Sequence, residues 1–168
     1  MATPKEQFLQ AYDREHEVTL RVLRAYPEDQ LELRPHPKAK TARELAWVFV
    51  LECGLGKKVW NDEFAKAPPA SGATPPKPPE TWDEQMAALE QGYKDFRDIV
   101  AGASEAELAE NVHFFTGPKK MGELSRFDWI RFLLNDQIHH RGQFSVYLRM
   151  AGGKVPSIYG PSGDEPWV

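Results

Sequence analysis

The chain has 168 residues, with 21 basic and 25 acidic side chains and a formal net charge of −4. This balance argues against a broadly basic nucleic-acid binder, because such proteins need excess cationic side chains to neutralise phosphates. Hydrophobic residues make up 41% of the chain, which suits a buried core and excludes a disordered polyelectrolyte. A chain of this length predicts one domain over residues 1–168.

Cys53 is the single cysteine, so an internal disulfide and a cysteine-based zinc site are excluded and a reducing cytoplasmic location is expected. We interpret Cys53 as a small buried side chain, with a nucleophile as the alternative. No apolar run approaches the roughly 20 residues of a membrane span, and the opening MATPKEQF contains no apolar signal-peptide segment. We therefore expect no membrane partner.

Capping boxes mark the starts of the predicted helices. In this motif a Ser or Thr side chain accepts from a backbone N–H three residues on, and a Glu there reaches back to the cap. Three long helices are predicted to follow Thr3, Thr41 and Thr81 and to run to about Pro27, Lys66 and Gly102. A fourth box at Ser104 predicts a short helix.

Proline and glycine mark the segments between these helices. Residues 67–80 contain six prolines, which predicts an extended crossover linker with polyproline character, or a domain boundary. Residues 111–123 contain Gly117, Pro118 and Gly122 and are predicted to be a loop, with a strand-like piece at Val112–Phe115.

The last long helix is predicted from near Ser125 to the glycine pair at 152–153, a typical helix terminus. The tail beyond it cannot be helical, but Ile158, Tyr159 and Trp167 suggest that it is docked. Four amphipathic helices without a strong period-2 segment predict an all-α fold. Its expected architecture is a four-helix bundle with long crossover loops and a non-helical C-terminal tail.

The last helix also carries the densest polar run, Asn135-Asp136-Gln137-Ile138-His139-His140-Arg141-Gly142-Gln143. Residues four apart share a helix face, which pairs Asn135 with His139 and Asp136 with His140. The apolar stripe predicted for this helix contains Phe127, Ile130, Leu134, Ile138 and Leu148.

The first pair flanks that stripe, so Asn135 and His139 are expected to point partly inward. His139 is then either a metal ligand or a buried, hydrogen-bonded histidine. The second pair, Asp136 and His140, lies further round and suits a local ion pair or a helix–helix contact. Three isolated histidines could complete a site in space but cannot be assigned from spacing: His16, His36 and His113.

Two segments resemble a known family. The run IHHRGQFSVYLRMAGGKVPSIYGPSGDEPW, from Ile138 to Trp167, closely resembles the C-terminal part of DinB-like proteins of the DinB/YfiT-type damage-inducible superfamily. The segment LRPHPKAKTARELAW, from Leu33 to Trp47, resembles the approach to the second helix in the same family. The resemblance covers essentially the whole chain.

The resemblance implies a four-helix bundle, often a homodimer, with a divalent metal held by three histidines. One histidine comes from the second helix and two, at i and i+4, come from the last. Here the corresponding positions are Val48, Asn135 and His139, so only His139 matches. Because a catalytic zinc usually has three protein ligands, we expect this site to be degenerate, with Glu52 as a candidate substitute ligand.

The expected function is accordingly that of a cytoplasmic small-molecule-binding or stress-linked protein that holds no cofactor or a weakly bound divalent metal (zinc or nickel). One alternative is a metal-dependent hydrolase or thiol S-transferase whose altered ligand set is drawn from His139, Asn135 and Glu52. Another is a dimeric interaction module. The expected partners are a second copy of the chain and a small molecule or thiol, without nucleic acid.

Overall fold

The computed structural model describes residues 1–67 and 74–168 and is mostly helical. The elements in chain order are α1 (Pro4–Arg24), α2 (Ala42–Trp60), α3 (Trp82–Gly102), α4 (Glu105–Ala109), β1 (Asn111–Gly117), β2 (Lys120–Ser125) and α5 (Arg126–Met150). Short 3₁₀ turns occupy Glu28–Gln30 and Glu63–Ala65.

The helices begin where the capping signals predict. Thr3, Thr41, Thr81 and Ser104 each form both hydrogen bonds of a capping box, and Ser125 caps α5 by accepting from a backbone N–H of the first turn. These bonds satisfy donors that have no partner within the helix. The predicted starts are therefore confirmed.

The end of α2 differs from the prediction. The helix ends at Trp60 rather than near Lys66, because Asp62 adopts the left-handed conformation with φ of 52°. Asp tolerates this conformation better than most residues. The chain then turns through Glu63–Ala65, and the Asp62 carboxylate accepts a hydrogen bond from the backbone N–H of His113 at 2.7 Å.

Two apolar clusters fill the space between the long helices. Helix α2 packs against α3 and α5, and α1 packs against the same two helices. One cluster includes Leu23, Phe49, Leu89, Phe144 and Leu148. The other includes Tyr12, Phe96, Val100, Trp129 and Leu133. Each cluster draws side chains from all four long helices, which fixes how the helices are arranged around the site described below.

The all-α prediction is wrong in one segment, because residues 111–125 form a small antiparallel hairpin. Val112 pairs with Leu124, and Phe114 pairs with Gly122. Only Val112 is fully buried on β1, so the alternation of apolar and polar residues is too weak to predict a strand pair. The predicted strand-like piece Val112–Phe115 lies within β1 and is confirmed, and the Gly-Pro segment forms the hairpin turn, where Lys119 adopts a left-handed φ of 59°.

The C-terminal tail packs on its own chain. Arg141 is 2% exposed and forms a 2.7 Å ion pair with Glu15 of α1. It also donates to the Tyr159 hydroxyl at 2.6 Å, and that hydroxyl donates to Glu15 at the same distance. We call Glu15, Arg141 and Tyr159 the tail lock. The docked tail agrees with the prediction: Ile158 packs against the core, and Tyr159 is held by its hydroxyl although the residue is 63% exposed. Trp167 is 62% exposed and does not contribute to this docking through burial.

The proline-rich connection between α2 and α3 is described from residue 74 onward. Residues 74–79 adopt no helix or strand, in agreement with an extended linker, and the carbonyl of Pro76 accepts a hydrogen bond from the Trp47 indole at 2.8 Å. The remainder of the predicted linker, residues 68–73, lies outside the described residues. Within residues 1–67 and 74–168, no helix is both long enough and apolar enough to cross a membrane.

Two glycines of α2 provide a matched test of the packing. A Cβ at Gly56 would lie 3.0 Å from atoms of Leu133 and Phe96, whereas a Cβ at Gly54 would meet no atom within 4 Å. We expect Gly54→Ala to raise the free energy of unfolding by ~0.5–1 kcal/mol through helix propensity. Gly56→Ala should be less stable than Gly54→Ala by ~1–3 kcal/mol because of overpacking. Urea unfolding measures both, and equal stabilities would contradict the close packing at Gly56.

Candidate metal centre

The core-facing side of α5 is wider than the predicted stripe: Ile130, Leu134 and Leu148 are buried as predicted, and Phe127 and Ile138 are partly buried against the core. Its buried residues are Trp129, Ile130, Leu133, Leu134, Arg141, Phe144, Tyr147 and Leu148. This face turns Asp136 and His140 toward the protein interior, while Asn135 and His139 are exposed. The expectation that Asn135 and His139 point partly inward is therefore wrong. The predicted stripe omitted four apolar residues that are buried, Trp129, Leu133, Phe144 and Tyr147, and these lie on the side of α5 nearer to Asp136 and His140.

Asp136 and His140 meet Glu52 of α2. The His140 Nδ1 atom lies 2.7 Å from Glu52 Oε1 and 4.0 Å from Asp136 Oδ1. One ligand atom from each of the three residues lies within 4.8 Å of the other two. Asp136 and His140 are one turn apart on α5, so they present their side chains in the same direction toward α2. We call Glu52, Asp136 and His140 the polar triad.

The carboxylate of Glu52 is buried without conventional hydrogen-bonding partners. Glu52 is 5% exposed, and neither of its oxygens has a hydrogen-bond partner among the described residues. The Nδ1 atom of His140 is equally without one, because its close approach to Glu52 lacks the angle of a hydrogen bond. A buried carboxylate left in this way is unfavourable by about 1–3 kcal/mol or more. The contact with His140 at 2.7 Å compensates Glu52 only when the pair carries opposite charges, so the remaining oxygen atoms of the triad can accept a shared third partner.

Burial and charge shift the acid–base properties of the triad. Burial raises the pKa of Glu52 to about 7, against an ordinary value of 4.5. The contact with His140 and the charge of His140 lower the pKa of Glu52, but by less than burial raises it. The Glu52 carboxylate in turn raises the pKa of His140, although partial burial acts in the other direction. Burial thus favours the neutral form of Glu52, whereas its contact with His140 favours the oppositely charged pair.

The triad occupies the level at which the two apolar clusters meet. Along α2, Glu52 lies between Phe49 of one cluster and Val59 of the other. Along α5, Asp136 and His140 lie between Leu134 and Phe144, which again belong to different clusters. The triad thus runs from the buried Glu52 to the 39% exposed side chain of Asp136, and electrostatic interactions are strongest at its buried Glu52 end.

The structure separates the metal-site candidates that the sequence suggested. Glu52 lies in the triad, and Val48 is half-buried one turn before it on α2. The exposed His139 ring instead has its Nε2 atom 2.9 Å from the Gln143 side-chain nitrogen. Asn135 lines a different cavity with Phe8 and Arg131, among others, between α1 and α5. Metal binding by His139 and Asn135 stays a prediction that the triad's geometry does not support.

The other histidines and the cysteine lie outside the triad. His16 stacks on Tyr93, with ring centroids 3.6 Å apart, and burial lowers its pKa to about 4. His113 lies on β1 with its Nδ1 atom 3.0 Å from Asp62. Cys53 is 1% exposed, and burial raises the pKa of its thiol to about 12. This thiol stays protonated at neutral pH, in agreement with a small buried side chain rather than a nucleophile.

Sequence reasoning paired Asp136 with His140 and interpreted the pair as a local ion pair or a helix–helix contact; the contact of His140 with Glu52 of α2 agrees with the second interpretation. The helical spacing of four was a usable signal, since two ligand-type residues one turn apart can reach one ion. The missing information was the rotation of α5, which the burial of Trp129, Leu133 and Phe144 reveals.

Comparison with known proteins places the chain in a family. The model of the DinB family matches residues 1–166, nearly the entire length. The chain belongs to the DinB family. Among curated proteins, the uncharacterised protein YrdA of Bacillus subtilis (strain 168) is 26% identical over 164 residues, which cover 95% of this chain and 90% of YrdA.

Solved structures of DinB-like proteins have the same fold. A DinB-like protein from Bacillus cereus ATCC 10987 superposes with a TM-score of 0.71 at 22% identity, covering 90% of this chain and 95% of that one. The DinB-like protein YjoA from B. subtilis superposes with a TM-score of 0.68 at 15% identity, with coverages of 91% and 97%. At these identities the likeness shows the fold alone.

The raised pKa of Glu52 predicts an unusual pH dependence of stability in the metal-free protein. Between pH 4.5 and about 7 the folded state binds more protons at Glu52 than the unfolded state does. Stability is therefore lost as the pH rises through this window, by on the order of 3 kcal/mol. The raised pKa of His140 acts in the same direction.

Urea unfolding of metal-free protein at pH 5, 6, 7 and 8 measures this loss. The isosteric variant Glu52→Gln has no carboxyl group to titrate, so its stability should fall less over the same range. Profiles that run parallel for the two proteins would show that Glu52 titrates normally.

Proposed function

We propose that this DinB-family protein binds a divalent metal cation through Glu52, Asp136 and His140. The observation that carries the proposal is the buried Glu52 carboxylate, whose two oxygens lack hydrogen-bond partners and face Asp136 and His140. The four long helices are proposed to form the four-helix bundle that holds this site, with α2 and α5 supplying the ligands. Bundle proteins build metal sites in this way, from inward side chains on facing helices.

The charge of the triad suits a divalent cation. With both carboxyl groups ionised and His140 neutral, the triad carries two negative charges in a largely buried layer. A cation of charge +2 would neutralise them where an uncompensated charge is costly. The donor set is two carboxylate oxygens and one imidazole nitrogen, which zinc and nickel accept. Oxygen donors also favour harder ions such as manganese, relative to a site of three histidines.

This proposal replaces the expectation of a degenerate site with that of an altered one. Val48 and Asn135 stand where the family resemblance placed histidines, but Glu52 and Asp136 bring carboxylates to the same level of α2 and α5. Three protein ligands are the number found in catalytic zinc sites. The triad therefore favours the metal-dependent hydrolase or thiol S-transferase hypothesis over a purely structural role.

A bound divalent cation would supply Lewis acidity and would lower the pKa of a coordinated thiol or water. The residues of this chain have two roles in the proposal. Glu52 and Asp136 provide negative charge that holds the cation, and the apolar clusters on either side limit the access of water. The Phe49 ring approaches His140 edge-on, at 6.3 Å between centroids, and restricts the orientation of the imidazole.

Metal titration with zinc, nickel and manganese, followed by calorimetry, tests the proposed ligands. We expect close to one equivalent of metal per chain at pH 7.5. Each of Glu52→Gln, Asp136→Asn and His140→Ala should weaken affinity by about 100-fold or more, since loss of even an outer hydrogen-bonding partner can weaken it 10–100-fold. The affinity should fall at lower pH, because protons compete for Glu52 and His140.

The matched controls are His139→Ala and Asn135→Ala, which alter the adjacent exposed residues of α5. Both should retain the affinity of the unmodified protein. If the controls abolish binding and the triad variants do not, the site lies on the other face of α5. If no metal binds to folded protein at any of these pH values, the proposed function is wrong.

A further inference from the structure

A groove with its own charge pattern adjoins the polar triad. It encloses about 500 Å³ between the loop before α2 and the second half of α5. Small-molecule sites commonly have volumes of ~300–1,000 Å³. His140 forms part of its wall, so the groove and the triad share a residue. The remaining lining comes from Pro35, Lys38, Ala39, Lys40, Leu45, Gln143, Val146 and Tyr147.

One rim of the groove carries exposed positive charge. Lys38 and Lys40 are exposed, and neither has an ion-pair partner in the part of the chain that the structure describes. By contrast, the neighbouring Arg34 is paired with Glu44 at 3.2 Å. The positive charge of Lys40 acts to lower the pKa of His140, against the larger raising effect of Glu52. Positive charge is thus uncompensated on this rim, although the chain as a whole carries a net charge of −4.

The loop that carries the lysines is held in place by hydrogen bonds. The Tyr147 hydroxyl on α5 donates to the carbonyl of Lys40 at 3.1 Å, and Arg34 donates to the carbonyl of Ala39 at 2.5 Å. The backbone N–H of Lys38 donates to the His36 ring at 3.1 Å. These bonds fix the loop backbone against α5 before any ligand arrives, which reduces the entropy lost on binding.

We propose that this groove binds a small organic anion. Its carboxylate or phosphate lies against Lys38 and Lys40, and its apolar body lies along Val146 and Tyr147. Val146 is 59% exposed, so the ligand would cover an apolar side chain that the chain leaves open. The opposite end of the ligand points toward His140. Its role as a substrate of the metal centre rests on the proposed function, whereas binding in the groove does not.

NMR titration of metal-free protein tests this proposal. Any chelator is first dialysed away, because it is itself an anion. The probes are phenyl phosphate and benzoate, with benzyl alcohol as the neutral counterpart. We expect saturable shifts of the backbone amides of Lys38, Ala39, Lys40 and Gln143 with at least one anion, and weaker binding of the alcohol. Binding of phenyl phosphate alone would assign a phosphate ligand, and binding of benzoate alone would assign a carboxylate.

The double variant Lys38→Ala/Lys40→Ala should weaken anion binding about tenfold, as expected for two partly exposed charges. The matched control, Lys94→Ala/Lys120→Ala, removes the same charge from exposed positions outside the groove and should change affinity less than about twofold. Thermal unfolding confirms that both variants are folded. Equal weakening in the two variants, or no saturable shift with either anion, would overturn the proposal.

The failure of one proposal is distinguishable from the failure of the other. Anion titration uses metal-free protein and lysine variants, whereas metal titration uses the triad variants. Anion binding without metal binding would contradict the proposed function and leave the groove as an anion site. Metal binding without anion binding would contradict the groove as an anion site and leave the proposed function in place.

Discussion

The energetic balance of the protein interior is constrained by one buried carboxylate, that of Glu52. An ionised carboxylate between apolar clusters loses most of its hydration, at a cost of several kcal/mol unless positive charge faces it. His140 supplies such charge only while it is protonated, and Asp136 adds a further negative charge. The triad is therefore costly whenever its carboxylates are ionised and His140 is neutral. Under the proposed function, a cation between the three side chains would offset that cost.

Helix α5 connects the features that surround this carboxylate. Asp136 and His140 face α2, while Arg141, the next residue, faces α1 and the tail. Gln143 and Tyr147 line the groove beside His140. Because these side chains leave one rigid helix in fixed directions, a rotation of α5 would disturb the triad, the tail lock and the groove together.

Helix starts were predictable because capping is local: a box needs only a hydroxyl residue and a Glu three positions later. The end of α2 and the hairpin were not predictable in the same way. Both depend on contacts between segments far apart in sequence, such as the hydrogen bond from the His113 backbone to Asp62. The Gly-Pro turn at residues 117–118 gave the correct local signal, but a loop and a hairpin share that signal.

The candidate site was predictable in part. Glu52 followed from its position one turn beyond Val48, and Asp136 and His140 followed as a pair from their spacing. Their inward direction did not, because the predicted apolar stripe omitted Trp129, Leu133, Phe144 and Tyr147, all of which are buried. These four side chains lie on the side of α5 nearer to Asp136 and His140. Which apolar residues of a helix reach the core depends on the helices packed against it, and a single sequence does not reveal that packing.

The tail lock has a consequence for how this chain can change during evolution. Its three residues come from different segments, and Glu15 and Arg141 are buried whereas Tyr159 is largely exposed. Loss of Glu15 or Arg141 leaves the other as an uncompensated buried charge, so the first substitution should be far more harmful than the second. The effect of a replacement at Glu15 therefore depends on what already occupies positions 141 and 159, and lineages that replace this network must do so in a restricted order.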